Sequence, residues 1–178
     1  MASLLTVNAG SSDKMQRYIS NCYSMGIDVI SPSINSSGID FTIKKDQILF
    51  GLSAIKNLGD SAIRNIIDNR NKLGSFKSFS DLCDRLPSNI LNKRNIESLI
   101  HCGALDEFSE NNNRAQLFSD LEYVMEWASS RNRDRISGQG NLFDSISKNE
   151  NKDFSLSQGS KVEDYSLIEK LKLEKQLL

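Results

Sequence analysis

The run GLSAIKNLGDSAIRNIIDNR, residues 51–70, sets a tight turn at Asn57, Leu58 and Gly59 directly before a helical stretch. A helix that starts at such a turn leaves its first backbone N–H groups without carbonyl partners, and its dipole adds positive potential there. Gly59 has no Cβ to keep a ligand away, Ser61 falls in the first turn, and Lys56 and Arg64 supply charge. The chemistry on offer is anion capture, with a phosphate as the natural ligand. A glycine between two helices also serves as a plain corner that holds a fold together, and the pattern alone leaves both readings open.

A second unit of similar make-up follows. Ser78 to Leu86 reads as a short helix broken by Pro87; Asn92 caps a helix from Lys93 to Cys102 with Ile96, Leu99 and Ile100 inside, and Gly103 ends it. Lys93 and Arg94 sit at its start, as Lys56 and Arg64 sit around the first turn. Two such units can hold both strands of a duplex. Contacts from backbone amides read no bases, so the predicted binding is independent of sequence and sensitive to salt.

The third group is SGQGNLFDS, residues 137–145, where Leu142 and Phe143 stand side by side in polar, glycine-rich surroundings. Two large apolar groups there want a partner, either the protein's own core or another protein. Other chemistry is thinly supplied. Cys22, Cys83 and Cys102 are widely spaced, there is no CxxC pair, and His101 is the single histidine, so neither a zinc site nor a disulfide framework is indicated. His101 and Cys102 are neighbours, but adjacent residues of a helix do not face each other, which argues against a nucleophile and base. Three reduced, partly buried thiols are expected.

The elements that position these groups are mainly helical. Ser11, Ser12 and Asp13 offer caps for a helix carrying Met15, Tyr18, Ile19 and Cys22, with Gly26 at its stop. Asp40 to Ile43 alternate polar and apolar, Lys45 and Asp46 supply a turn, and Ile48, Leu49 and Phe50 complete a small β-hairpin. Within residues 51–70 a brief apolar helix runs from Gly51 to the turn at Asn57, Leu58 and Gly59, and a second helix begins at once, capped by Asp60 or Ser61, with Ala62, Ile63, Ile66 and Ile67 on its inner face. A long helix from about Arg114 to Arg135 buries Phe118, Leu121, Val124, Met125 and Ala128, and ends in Arg131, Arg133 and Arg135. These arginines suit a solvated helix end that complements the dipole at least as well as a nucleic-acid contact. Residues 145–164 are polar, as a flexible linker would be, and Leu167, Ile168, Leu171 and Leu178 resume helical spacing. The uncapped stop at Leu178 has the look of a cut.

With 178 residues, 38% hydrophobic and 25% charged, the chain has the composition of one compact domain plus accessory segments. A formal charge of −1 means that any nucleic-acid grip must come from local basic clusters and not from the summed field. MASLLTVNAG lacks basic lead residues and its apolar run is too short for a secretory signal, and no run approaches the ~20 apolar residues of a membrane helix. A soluble, intracellular protein is expected.

Several ordered blocks carry a family resemblance: MASLLT, YISNCYSMGIDVISPSIN, GIDFTIKKDQILFGLSAIKNLGDSAI, FKSFSDLCDRL, LNKRNIESLIHCGALDEF and RNRDRISGQGNLFD. Across nearly the whole chain they resemble the alpha subunit of bacterial DNA polymerase III, the C-family replicative polymerases. The resemblance implies the region after the palm, where a tandem helix-hairpin-helix domain holds duplex DNA behind the active site and contacts the sliding clamp. Clamp-binding peptides of that family have Gln, two variable residues, Leu or Met, and a final Phe or Leu; Gln139, Gly140, Asn141, Leu142 and Phe143 match. In that setting Leu142 and Phe143 enter an apolar pocket of the clamp, contributing ~3 to 6 kcal/mol by transfer, much of it offset by lost freedom. The resemblance also implies a cytoplasmic, bacterial protein.

Two departures stand out. Asn57 occupies a position where the motif usually has glycine; asparagine tolerates the left-handed backbone better than most residues, yet weaker amide presentation is expected there. No two aspartates lie at D-x-D spacing, so the acidic cluster that holds catalytic metal is missing, and Asp28, Asp40, Asp60, Asp81 and Asp84 read as turn, cap or surface residues. No cofactor is expected in this segment, with Mg2+ belonging to the palm of a parent polymerase, and no polymerase activity is expected from it alone.

The sequence therefore predicts a mainly α fold: a helical segment over 1–26 that continues from a preceding polymerase region, a β-hairpin plus tandem helix-hairpin-helix domain over 27–110, a long helix over 111–136, a linker with the clamp motif over 137–164, and a helix over 165–178 leading onward. DNA contact is assigned to Lys56, Asn57, Leu58, Gly59, Ser61, Arg64, Lys93 and Arg94, and clamp contact to residues 139–143. The expected partners are duplex DNA, the β sliding clamp and the remaining domains of the subunit, with no membrane. A purely structural helical domain without DNA contact is the competing reading, and a self-contained polymerase or nuclease a third; loss of affinity and a shallower salt slope on mutating Lys56 and Arg64 separates the first from the second.

Overall fold

The computed structural model describes residues 1–109, 113–136 and 161–178. Its helices are α1 (Ala2–Val7), α2 (Ser12–Ser24), α3 (Asp60–Leu73), α4 (Phe79–Arg85), α5 (Lys93–His101), α6 (Arg114–Ile136) and α7 (Leu167–Leu177), and its strands are β1 (Asp28–Ile30), β2 (Thr42–Lys44) and β3 (Gln47–Leu49). The mainly α expectation holds, with a small sheet near the N-terminus.

Two apolar clusters organise the chain. The smaller joins α1, α2 and the sheet through Leu5, Met15, Cys22, Phe41, Ile48 and Phe50. Within it the predicted hairpin forms: β2 and β3 pair antiparallel with Thr42 opposite Leu49, and Lys45 takes φ 56° at the turn. On the central strand β3 side chains alternate, so Ile48 is buried and Gln47 exposed, while Ile43, the partner of Ile48 on the edge strand β2, stands exposed. Two elements go beyond the sequence expectation. α1 is a helix of six residues, and β1 adds a third strand, parallel to β3 with Val29 opposite Ile48. Gly26, with φ 71°, ends the turn after α2 in the left-handed conformation that glycine takes most easily.

The larger cluster is built by α3 to α6. Ile63 and Ile66 of α3, Phe79 and Leu82 of α4, Ile96, Leu99 and Ile100 of α5, and Leu121 and Val124 of α6 meet in it. Full burial of each such side chain contributes roughly 1.5–3 kcal/mol. The inner face predicted for α3 is correct, with Ile67 partly buried at its edge. On α6, Leu121, Val124 and Ala128 are buried as expected, but Phe118 is 39% exposed and stacks on His101 with ring centroids 5.0 Å apart.

The basic end of α6 is tied to α4. Arg135 Nη2 lies 2.6 Å and Arg131 Nε 3.6 Å from the Asp84 carboxylate, so two of the three arginines there are matched to a protein partner. Of the linker expected over 145–164 only residues 161–164 are described, and these, though polar in composition, are bonded to the start of α6. Asn113 Nδ2 donates to the Val162 carbonyl at 2.9 Å, Val162 N–H donates to Gln116 Oε1 at 2.9 Å, and Ala115 N–H donates to Asp164 Oδ1 at 3.3 Å. From there Ser166 caps α7 in a reciprocal capping box with Glu169. Glu174 of α7 pairs with Arg114 at 2.8 Å, and Leu177 and Leu178 reach the larger cluster.

Candidate nucleic-acid interface

The first turn begins at Gly51, whose backbone lies against the chain of residues 39–41. A Cβ there would come within 2.5 Å of the Asp40 carbonyl carbon and 2.7 Å of the Phe41 nitrogen. The helix expected to follow is a single 3-10 turn, Leu52–Ala54, because Ile55 already has extended dihedrals of φ −80°, ψ 118°. Leu52, Ala54 and Ile55 are all buried, so three apolar contacts within four residues, and not a helical stripe, fix this segment.

Asn57 then takes φ 66°, the left-handed conformation that its position in the turn demands. The chain runs through Leu58, which is 6% exposed and anchors the turn in the core, so its side chain is unavailable to a ligand. Gly59 is the N-cap of α3, with φ −74°, ψ 155° and open space where a Cβ would sit. The expected caps are thereby corrected. Asp60 and Ser61 lie inside the first turn, and no side chain accepts a hydrogen bond from the helix start, because the chain enters α3 one residue earlier than the Asp and Ser suggest. The N–H groups of Asn57, Gly59, Asp60 and Ser61 donate to nothing among the described residues, which leaves them open to an anion. Asp60 opposes that use, since a carboxylate in the first turn already complements the dipole and repels phosphate.

The charged groups around this turn divide. Arg64 is exposed and makes no ion pair or hydrogen bond among the described residues. Lys56 is engaged: its N–H donates to the Leu177 carbonyl at 2.9 Å and its Nζ to the Gln176 carbonyl at 2.8 Å. The negative end of α7 is held on the turn by this lysine.

The second unit is more regular. Ser78 caps α4 by accepting from the Asp81 N–H at 3.1 Å, Pro87 follows the helix, and the Leu91 N–H donates to the Pro87 carbonyl at 3.0 Å to close the turn. Asn92 caps α5 in a reciprocal box: Asn95 N–H donates to Asn92 Oδ1 and Asn92 N–H donates to Asn95 Oδ1, both at 3.0 Å. The N–H groups of Lys93 and Arg94 remain open among the described residues. Lys93 pairs with Glu122 of α6, whose carboxylate raises the pKa of the ammonium, whereas Arg94 is exposed and has no partner among the described residues.

Asn95 and Ser98, absent from the expected site, bring the two units together. Asn95 Nδ2 donates to the Asn57 carbonyl at 2.6 Å, and Asn57 Nδ2 donates to Ser98 Oγ at 3.2 Å. The N-x-x-N spacing of Asn92 and Asn95 hints at the cap, but nothing local in the sequence points to a bond across 38 residues. Residues 139–143, assigned to the clamp, lie outside the described residues.

Other chemistry is not assembled. The three cysteines are free and buried, and burial pushes the Cys83 and Cys102 thiols up to about 12, which keeps them protonated and unreactive. Burial, aided by Arg114 and opposed by Glu97, lowers the pKa of His101, which stacks on Phe118 and meets Tyr165 edge-on at 6.2 Å. Among the described residues no three His, Cys, Asp or Glu side chains converge in a metal-binding group, and no helix is long and apolar enough to cross a membrane.

Comparison with known proteins follows the same outline. The family profile of the helix-hairpin-helix motif matches residues 26–117, slightly more than half of the chain. The chain is 44% identical over 143 residues, 80% of its length, to the DNA polymerase III alpha subunit of Thermus aquaticus, and 39% and 34% identical over its full length to those of Deinococcus radiodurans and Borreliella burgdorferi. It spans 12 to 15% of the length of these three relatives. With two amide-bearing turns on one helical core and this pattern of identity, the chain belongs to the helix-hairpin-helix family and is similar along its length to a segment of the bacterial DNA polymerase III alpha subunit.

Proposed function

We propose that this chain is the part of a replicative polymerase that grips duplex DNA without sequence preference and reaches a sliding clamp through Gln139, Gly140, Asn141, Leu142 and Phe143. One observation supports the DNA reading most: two helix starts with amides open among the described residues share a core, are joined by the Asn57–Asn95 bond, and are each flanked by an exposed arginine, Arg64 or Arg94, that has no partner among those residues. Phosphates would dock on the amides of Asn57, Gly59 and Ser61 and on those of Lys93 and Arg94. In the whole subunit, Mg2+ and the residues that hold it would supply the nucleotidyl transfer in the cytoplasm of a bacterium, while this segment supplies the hold on the product duplex and the tether that raises the local clamp concentration.

Fluorescence anisotropy with labelled duplexes across a salt series tests the DNA part. Binding should be equal for unrelated sequences, and Arg64→Ala and Arg94→Ala should each weaken it and reduce the slope of log K against log salt by about one. Retention of both affinity and slope in the double variant would sink this assignment. For the clamp, the Leu142→Ala, Phe143→Ala variant should lose binding that the native chain has; equal binding by both would remove the motif.

A second reading, a structural domain that packs against the rest of the subunit, draws support from two contacts. Lys56 is satisfied by α7 and Lys93 by Glu122, so half of the basic residues assigned to DNA already have protein partners. It predicts no duplex binding even at low salt.

A further inference from the structure

Asn57 is one of two non-glycine residues with positive φ among the described residues, and it sits in the turn where such a conformation is costly without help. The help comes from a helix of the other unit. The Asn95 side chain is divided between two tasks: its Oδ1 accepts from Asn92 N–H at 3.0 Å to cap α5, and its Nδ2 donates to the Asn57 carbonyl at 2.6 Å. Asn95 is 7% exposed and Ser98, which accepts from Asn57 Nδ2, is 3% exposed, so both bonds form where water competes poorly.

The peptide that links Asn57 to Leu58 is planar, so the direction of the Asn57 carbonyl fixes the direction of the Leu58 N–H. That N–H donates to the Ile55 carbonyl at 3.3 Å and closes the turn. Returning Asn57 to the right-handed region would swing its carbonyl off Asn95 and the Leu58 N–H off Ile55, and would re-aim the amides of Gly59 and Asp60 that follow. Glycine at 57 would need no such brace, because it takes positive φ without a Cβ conflict.

We infer that Asn95 of α5 is a positioning residue for the first turn: it holds Asn57 left-handed, so that the amides of Gly59, Asp60 and Ser61 are presented by a side chain that does not itself touch the ligand. The significance for DNA rests on the function proposed above, whereas the hold on Asn57 is a property of the free protein. Aspartate at 95 keeps the oxygen that caps α5 and loses the donor, which separates the two tasks.

The test uses the full chain in four forms: native, Asn95→Ala, Asn95→Asp, and Asn95→Ala combined with Asn57→Gly. NMR reports the dihedral of residue 57 through its amide-to-Hα coupling and intraresidue Overhauser effect, and hydrogen exchange reports the Leu58 amide. In Asn95→Ala and Asn95→Asp the left-handed signature should be lost or averaged, and Leu58 should exchange about tenfold faster, as the loss of one hydrogen bond implies. The Asn57→Gly partner change should restore Leu58 protection. Duplex affinity should follow the same order, falling in the two single variants and recovering in the double. A native dihedral and native Leu58 protection in both single variants overturns the inference, whatever DNA does. If the native chain fails to bind duplex while residue 57 responds as expected, the DNA function falls and the positioning role stands.

Discussion

The two helix-hairpin units reach similar helix starts by different means. The second is held by short-range bonds, with Asn92 and Asn95 three residues apart in a capping box and Ser78 capping α4. The first has a 3-10 turn in place of a helix, an uncapped α3, and a left-handed asparagine, and its stabilising contacts come from far along the chain: Asn95, Ser98, and the end of α7. A regular turn carries its instructions locally, while an irregular one borrows rigidity from its neighbours. The cost of the loan is that damage to the second unit must be felt in the first.

The largest expected effect follows from Arg114, which ties the end of the second unit to α7. Its side chain is 6% exposed, and its guanidinium pairs with Asp106 and Glu174 at 2.8 Å and donates to the His101 carbonyl at 3.1 Å. Arg114→Ala leaves two carboxylates without their cation and should cost about 3–5 kcal/mol in urea unfolding. Exchange at the Lys56 amide should rise with it, since α7 loses its anchor; an unchanged Lys56 amide would break the proposed dependence of one unit on the other. Gly51→Ala attacks the first unit directly. With backbone atoms of residues 39–41 lying 2.5 to 2.8 Å from the new methyl, that segment and the turn must separate, at about 1–3 kcal/mol.

Smaller changes sharpen the contrast between the helix starts. Asn92→Ala should destabilise by about 1 kcal/mol, because it removes a side-chain cap, whereas Asp60→Ala and Ser61→Ala should each stay within about 0.5 kcal/mol, because neither caps α3. Equal losses at the three positions would show that α3 is capped as the sequence suggests. The smallest effect concerns pH. Burial lowers the pKa of His101 in the folded protein relative to an unfolded value of about 6.5. The unfolded chain therefore takes up the proton first, so this contribution to stability is present above about pH 6.5 and is lost as pH falls. His101→Gln should flatten the stability curve below that pH, and a slope that persists unchanged assigns it to other groups.

What the sequence reveals divides along the same line. α2, α3, α5 and α6 are legible from apolar spacing, Ser78 and Pro87 bracket α4, and Asn92 and Gly103 mark the ends of α5, because caps, breaks and left-handed stops are local signals. β1 escapes notice because a strand of three residues acquires its identity from pairing with β3, some twenty residues away, and α1 because six residues are too few to show a period. In the site, Gly59, Arg64 and Arg94 are readable by type and place. The role of Asn95, the burial of Leu58, and the engagement of Lys56 by α7 are not, since each depends on which distant segment lies against the turn.

The grip of Lys56 on α7 also sets an order of events during synthesis. The lysine and its partner Gln176 are 120 residues apart, whereas the caps of α5 lie three residues apart. At ~5–20 residues per second, a ribosome delivers α7 roughly 6–24 s after Lys56 has been made, long after the second unit has had time to close its turn. For that interval the nascent chain presents the first turn without its cover, and the amide of Lys56 is available to whatever anion or chaperone surface meets it first.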